Sequence, residues 1–335
     1  FMDQHLSDRI KKLSESQTIA MARRSRELQA EGIDVISLSL GEPDLNVADH
    51  IKEAAKKAID EDWSHYPPVA GYPELRKAIS EKFKRQNGLN YSPEQILVST
   101  GAKQSLANVV LSLVNPDDEV IILAPYWVSY LELVKLADGK AKFITAGIDT
   151  DFKSSAQELD EAITDDTKLI IFSSPSNPTG SFYSKEELAA FAKVIARYPN
   201  VFVISDEIYE HINFTGKHES LAQFPEVYDQ VITVNGVSKA YAMTGYRIGY
   251  IGAPLWITKA CDKMQGQITS GANSIAQRAT IEALNTDEEW LSEMRSIFER
   301  RRELVTDLFS NIDGFKINMP GGAFYLFPEV SALFG

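Results

Sequence analysis

Short, nearly continuous apolar runs recur along the chain at residues 96–98, 120–123, 169–172, 201–204 and 231–234. Each is rich in Ile, Val and Leu, and each reads as a strand buried on both faces. Most are separated by a different periodicity. Leu106, Val109, Val110 and Leu113 fall three and four residues apart, and Leu188, Phe191, Ala192 and Ile195 repeat the spacing. That pattern places the apolar side chains on one face of a helix. Alternating strands and helices predict an α/β fold, a three-layer α/β/α arrangement whose mostly parallel sheet is covered on both faces. No internal repeat, low-complexity tract or Pro/Gly-rich linker interrupts the pattern, so any domain boundary is expected inside helices or short loops.

The length of 335 residues suits one large domain with a smaller companion and is ample for a core. A formal charge of −13 repels phosphate backbones and anionic lipid surfaces, which argues against a nucleic-acid or membrane-surface partner. The densest basic cluster, Arg300-Arg301-Arg302, sits between Glu299 and Glu303 in a helical pattern and is expected to be a solvated helix face. The single cysteine, Cys261, has no internal disulfide partner and cannot build a thiolate metal cluster, so no metal is expected. No stretch reaches the 18 or so apolar residues of a membrane span, and the charged N-terminus lacks the apolar core of a secretion signal. A cytoplasmic location is expected. Phe1, ahead of Met2, is expected to be left over from expression and enters no argument.

In a mostly parallel sheet, ligands gather at the carboxyl ends of the strands. Four polar clusters stand there: Ser99-Thr100-Gly101-Ala102-Lys103, Ser174-Pro175-Ser176-Asn177-Pro178-Thr179-Gly180, Ser205-Asp206-Glu207-Ile208-Tyr209 and Asn235-Gly236-Val237-Ser238-Lys239. Gly101 separates a strand from a helix whose first backbone N–H groups are free to hold an anion, although the same turn occurs in folds without one. The G-x-G-x-x-G spacing of a dinucleotide site is absent. Asp206 places a carboxylate at the rim, where partial burial demands a cation or a donor, unless it simply caps a helix. The Asn177 segment alone reads as a loop, and Lys239 alone as an exposed charge or as an amine kept for covalent chemistry. Arg247 offers a planar fork suited to a phosphate.

Taken together, these groups match one ligand. Pyridoxal 5′-phosphate carries an aldehyde for a lysine amine, a ring nitrogen for a carboxylate, a phenolic oxygen, and a phosphate for a helix N-terminus and an arginine.

The chain also resembles the aspartate aminotransferase family of fold type I pyridoxal-phosphate enzymes. The resemblance spans nearly the whole sequence through Ser39-Leu40-Gly41-Glu42-Pro43-Asp44, Tyr66-Pro67-Pro68-Val69-Ala70-Gly71, Pro125-Tyr126-Trp127-Val128-Ser129-Tyr130, the segments 176–180, 205–209 and 238–247, and Pro320-Gly321-Gly322-Ala323-Phe324-Tyr325. It implies a large cofactor-binding domain at 46–285 and a smaller α+β domain formed by 1–45 with 286–335. It implies that Lys239 binds the cofactor covalently and then moves a proton between the substrate α-carbon and cofactor C4′. Asp206 would pair with the ring nitrogen, Tyr209 and Asn177 would hydrogen-bond the phenolic oxygen, and Trp127 would stack on the ring. Gly101, Ala102, Lys103, Ser238 and Arg247 would hold the phosphate, with Tyr66 reaching it from the other subunit of a homodimer with shared sites. Gly41 would lie beside the substrate carboxylate, with Trp127 and Asn177 also on the substrate side.

The family pattern continues beyond Gly335 by roughly half a domain, with an arginine for the substrate α-carboxylate, and truncation is the expected reason that this sequence lacks it. The resemblance is nearest the bacterial aspartate branch, so the expected reaction is ping-pong transfer of the amino group from L-aspartate to 2-oxoglutarate. Specificity for aromatic amino acids, alanine or prephenate, a pyridoxal-phosphate lyase, and a non-enzymatic effector-binding module are the alternatives.

Overall fold

A computed structural model describes residues 3–286 and 288–335; Phe1 lies outside them. Seven strands form one sheet: β1 (Ile96–Thr100), β2 (Glu119–Ala124), β3 (Lys140–Thr145), β4 (Thr167–Ser173), β5 (Phe202–Asp206), β6 (Val231–Gly236) and β7 (Ile248–Gly252). Their order is β1-β7-β6-β5-β4-β2-β3, parallel from β3 to β6, with β7 antiparallel to both β6 and β1. All five apolar runs are strands, as the pattern predicts.

Alternation along each strand divides the apolar side chains between two cores. Ile96, Val98, Ile121, Ile170 and Val203 face one side, where Leu188, Phe191 and Ile195 of helix Lys185–Ile195 and Leu75 and Ile79 of helix Pro73–Lys82 cover them. Leu97, Val120, Ile122, Leu169, Ile204 and Val234 face the other, beneath Leu106, Val109, Val110 and Leu113 of helix Ala102–Leu113 and Ile257 and Cys261 of helix Leu255–Ile268. Each such fully buried aliphatic side chain contributes about 1.5–3 kcal/mol. This is the three-layer arrangement expected from the sequence.

Strand β3 escapes the sequence pattern. It ends the sheet, with Lys140 exposed and Lys142 half-buried, and charges along an edge discourage pairing with other chains.

The strand directions set the site. Because β7 runs antiparallel to both of its neighbours, the carboxyl ends of β1, β4, β5 and β6 share one rim with the amino end of β7, and Thr100 pairs with Ile248 in register. Gly101 and Arg247, 146 residues apart in sequence, therefore meet by way of this register.

Arg300 and Arg301 are exposed, as expected of a solvated helix face, and Arg302 alone departs from it by being half-buried. Arg301 forms a bidentate pair with Asp44 at 2.7 and 3.0 Å, and Arg302 lies over the Phe214 ring at 4.5 Å while donating to Pro320 O. On helix Glu288–Ser310 the Arg302 stem thus packs while its guanidinium finds an acceptor. No helix of the described residues is long and apolar enough to cross a membrane.

Candidate active site

Lys239 lies in the turn after β6. Its Nζ donates to Gly41 O at 2.5 Å and stands 5.7 and 5.6 Å from the ring centres of Tyr209 and Phe324. Burial pushes its ammonium down to about 8; Glu42 and Asp206 favour the charge and Arg247 opposes it. An amine so placed is available as a nucleophile and a base near neutral pH.

Asp206 closes β5 and is only 4% exposed. Its Oδ2 accepts from the Tyr130 hydroxyl at 2.7 Å and its Oδ1 from Ile208 N at 3.3 Å. Burial nevertheless pushes its carboxyl up to about 6, with Glu207 adding to the effect. A buried carboxylate raised this far is one that lacks a close cation.

Gly101 takes φ +80° as it leads β1 into helix Ala102–Leu113, a region that glycine enters without strain. A side chain there would collide with the Arg247 guanidinium. The first amides of the helix, Ala102 and Lys103, thus face a cradle walled by Arg247, whose Nη1 donates to Thr244 O at 2.9 Å. Lys103 Nζ sits over the Trp127 ring at 4.9 Å, and burial together with Arg247 lowers its pKa. Among the described residues Lys103 has no carboxylate within ion-pair distance. Free helix amides and two neighbouring cations make a site for an anion.

Trp127 meets Tyr130 edge to face at 5.7 Å. Asn177 lines a small cavity with Tyr130, Phe172 and Ser173, and Ser238 is buried next to Lys239. Tyr66 stands apart, 95% exposed on a loop. Lys239, Asp206, Tyr209, Gly41 and Arg247 are thus linked by contact or by charge, Gly101 and Lys103 adjoin Arg247 with the Trp127 ring beneath Lys103, and Tyr66 contacts none of them among the described residues.

Three parts of the site were not singled out from sequence. Tyr130 holds Asp206. Tyr325 pairs its hydroxyl with that of Tyr209 at 2.5 Å, and the Thr244 hydroxyl donates to the Glu42 carboxylate. Tyr130, Tyr325 and Glu42 each lie within a motif quoted above, which is the only signal the sequence carries for them.

The donor set fits pyridoxal phosphate: a buried amine, a carboxylate in want of a cation, and a glycine-floored anion cradle beside an arginine. Comparison with known proteins agrees. The family model described as aminotransferase class I and II matches residues 33–333. The chain is 48% identical to a probable aspartate/prephenate aminotransferase of Rhizobium leguminosarum bv. phaseoli, over 98% of this chain and 83% of the relative. It is also 48% identical to the aspartate/prephenate aminotransferase of Cereibacter sphaeroides, with the same coverage. The crystal structure of the aspartate aminotransferase from Rhizobium meliloti superposes with a TM-score of 0.95 at 41% identity, covering 98% of this chain and 83% of that one. That of the Thermus thermophilus aspartate aminotransferase with maleate gives 0.94 at 39%, covering 98% and 86%. Fold, site and sequence place this chain in the class I and II aminotransferase family, as a pyridoxal-phosphate-dependent aminotransferase.

Proposed function

We propose that this aminotransferase takes the amino group of L-aspartate and passes it to 2-oxoglutarate in two half-reactions, giving oxaloacetate and L-glutamate. The relatives at 48% identity carry aspartate in their names, and this supports aspartate as donor. The same names carry prephenate, which supports prephenate as a second acceptor.

The observation that carries the reading is the placing of the Lys239 amine, lowered to about 8, on the rim that also holds Asp206 and the anion cradle. When bound, pyridoxal phosphate supplies an aldehyde that condenses with amines and a protonated ring that draws electrons away from the substrate α-carbon. Lys239 Nζ would hold the cofactor and, once displaced by substrate, take the proton from the α-carbon. The Asp206 carboxylate would keep the ring nitrogen protonated, and its buried site strengthens that pairing. Tyr209, with Tyr325 behind it, would donate toward the phenolic oxygen, with Asn177 beside it. Gly101, Ala102, Lys103, Ser238 and Arg247 would orient the phosphate, Trp127 would cover the ring and exclude water, and Gly41 would border the substrate.

A homodimer with shared sites is part of the reading. Tyr66 at 95%, Leu38 at 87% and Ile36 at 85% exposure leave a phenol and an apolar strip for a second copy, and Tyr66 would complete the partner's phosphate site. We place the large domain at 46–285 and the smaller one at 1–45 with 286–335, and the enzyme in the cytoplasm.

The test is steady-state kcat/KM across donors and acceptors. Aspartate is expected to exceed alanine and the aromatic amino acids by at least about tenfold. A greater value for another donor overturns the assignment, and release of ammonia or carbon dioxide without a new amino acid overturns amino transfer itself.

A further inference from the structure

Behind the rim lies a buried polar cluster that the reaction above does not use. Glu207, 1% exposed, follows Asp206 and points its carboxylate away from the site into the protein. Its Oε1 accepts from Ser205 Oγ at 2.8 Å and Ser220 Oγ at 2.7 Å, and its Oε2 meets His218 Nε2 at 2.8 Å. Its backbone N donates to Val234 O at 2.9 Å. Strand β5, the loop bearing His218 and Ser220, and β6 are thus pinned through one residue adjacent to Asp206 and two before Tyr209.

The charges around the pair come from several elements. Glu210, on the same turn, also faces His218, and Lys82 from helix Pro73–Lys82 pairs with Glu210. Asn87 donates to Glu210 at 2.6 Å and Asn235 at 2.9 Å, while His211 lies 3.3 Å away. Asp206 itself faces Tyr130, Lys239 and Glu207. Glu207, Glu210 and His218 come close enough to hold a metal ion, but the Lys82 ammonium already occupies Glu210, and with His218 protonated the two cations balance the two carboxylates.

We propose that the Glu207–His218 ion pair is a positioning device for Asp206: it clamps the turn carrying Asp206 and Tyr209, and it cancels the charge of Glu207 so that Asp206 alone presents negative charge to the cofactor ring nitrogen. Burial works against the charge on His218, and the Glu207 carboxylate outweighs it, raising the imidazolium above its usual range. Loss of the His218 charge would leave two adjacent buried carboxylates, and protons in the site would be held more tightly.

The proposal rests on the reading that Asp206 faces the ring nitrogen, and its test separates the two. The absorbance of bound cofactor is followed against pH in the unaltered enzyme, in Asp206→Asn, in His218→Gln and in Glu207→Gln/His218→Gln, with the cofactor dissociation constant measured for each. His218→Gln is expected to move the absorbance midpoint upward by about 0.5–1 unit, and the double variant, again neutral, to bring it back to within about 0.3 unit. If Asp206→Asn changes the midpoint and affinity but His218→Gln does not, the proposal fails and the Asp206 reading stands. If Asp206→Asn changes neither, the reading fails and takes the proposal with it. A double variant displaced as far as the single one reduces the pair to scaffolding and also overturns the proposal. Should the variants not fold, imidazole NMR of the unaltered cofactor-free protein serves: His218 is expected to titrate above 6.5, and a midpoint below that value refutes the charged pair.

Discussion

The hydroxyl of Tyr130 donates to Asp206 Oδ2 at 2.7 Å, tying the first turn of helix Ser129–Leu136 to the end of β5. This bond opposes the burial that pushes Asp206 up to about 6. Tyr130→Phe removes it, so Asp206 should protonate at a still higher pH and pair less well with a ring cation. A hydrogen bond to a charged group is worth about 1.5–3 kcal/mol, so cofactor affinity should fall about tenfold or more. The sign fixes the pH dependence: the defect is greatest near pH 6, where the variant loses ionised Asp206, and smaller at pH 8. Cofactor titration at both values checks this, and an equal defect at both would remove Tyr130 from the role.

Lys239 makes the sharpest prediction for chemistry. Lys239→Ala should bind cofactor without a covalent link, giving no mass increase after borohydride reduction, and its turnover should drop by at least about a thousandfold. In the unaltered cofactor-free enzyme the amine should titrate near 8, well below an exposed lysine. A variant that retains the reduced adduct would point to another lysine.

Gly41 gives a packing test. Its carbonyl accepts from Lys239, and a methyl on its Cα would strike the Tyr325 hydroxyl that pairs with Tyr209. Gly41→Ala is expected to lower kcat/KM by about tenfold or more while the thermal midpoint stays within a degree or two, because the clash is local to the site. Gly147→Ala is the control, since nothing lies within 4 Å of its added Cβ. Equal activity in the two variants would show that the segment around Gly41 moves freely.

Much of this was legible in the sequence because the strands are buried on both faces and the helices on one, which leaves continuous runs and three-four stripes. Lys239, Asp206 and Gly101 were legible because strand ends deliver them to one rim. Strand β3 was not, since an edge strand carrying Lys140 and Lys142 has no apolar run. Tyr130 was passed over for a physical reason: 1% exposed on an amphipathic helix, it reads as core, and only the fold reveals that its hydroxyl meets a carboxylate 76 residues away. Glu207 and His218 lie 11 positions apart across an irregular segment, and no periodicity marks such a contact. Arg302 shows the opposite failure, a charge in a helical pattern that packs over Phe214 although nothing local distinguishes it from Arg300.

Asp206 also predicts how stability should depend on pH and on cofactor. Its carboxyl is raised from 3.8 to about 6, so the folded protein holds the proton more tightly than the unfolded chain does. The stability this provides is fully present below about pH 3.8 and is lost as pH rises through about 6. Over that window the cofactor-free enzyme should lose about 3 kcal/mol relative to an uncharged residue at this position, an order-of-magnitude value for a buried group. Asp206→Asn keeps an acceptor for Tyr130 and removes the titration. The cofactor-free variant is therefore expected to unfold at higher denaturant than the unaltered enzyme at pH 7, and at nearly the same concentration at pH 4. Cofactor should reverse the order at pH 7, because the carboxylate then has the cation that it lacks and the amide does not. Denaturant midpoints for both proteins, at both pH values and with and without pyridoxal phosphate, check the whole pattern. A variant that is less stable than the unaltered enzyme at pH 7 without cofactor would mean that Asp206 is already paired within the protein, and that its charge is not held in reserve for the ring.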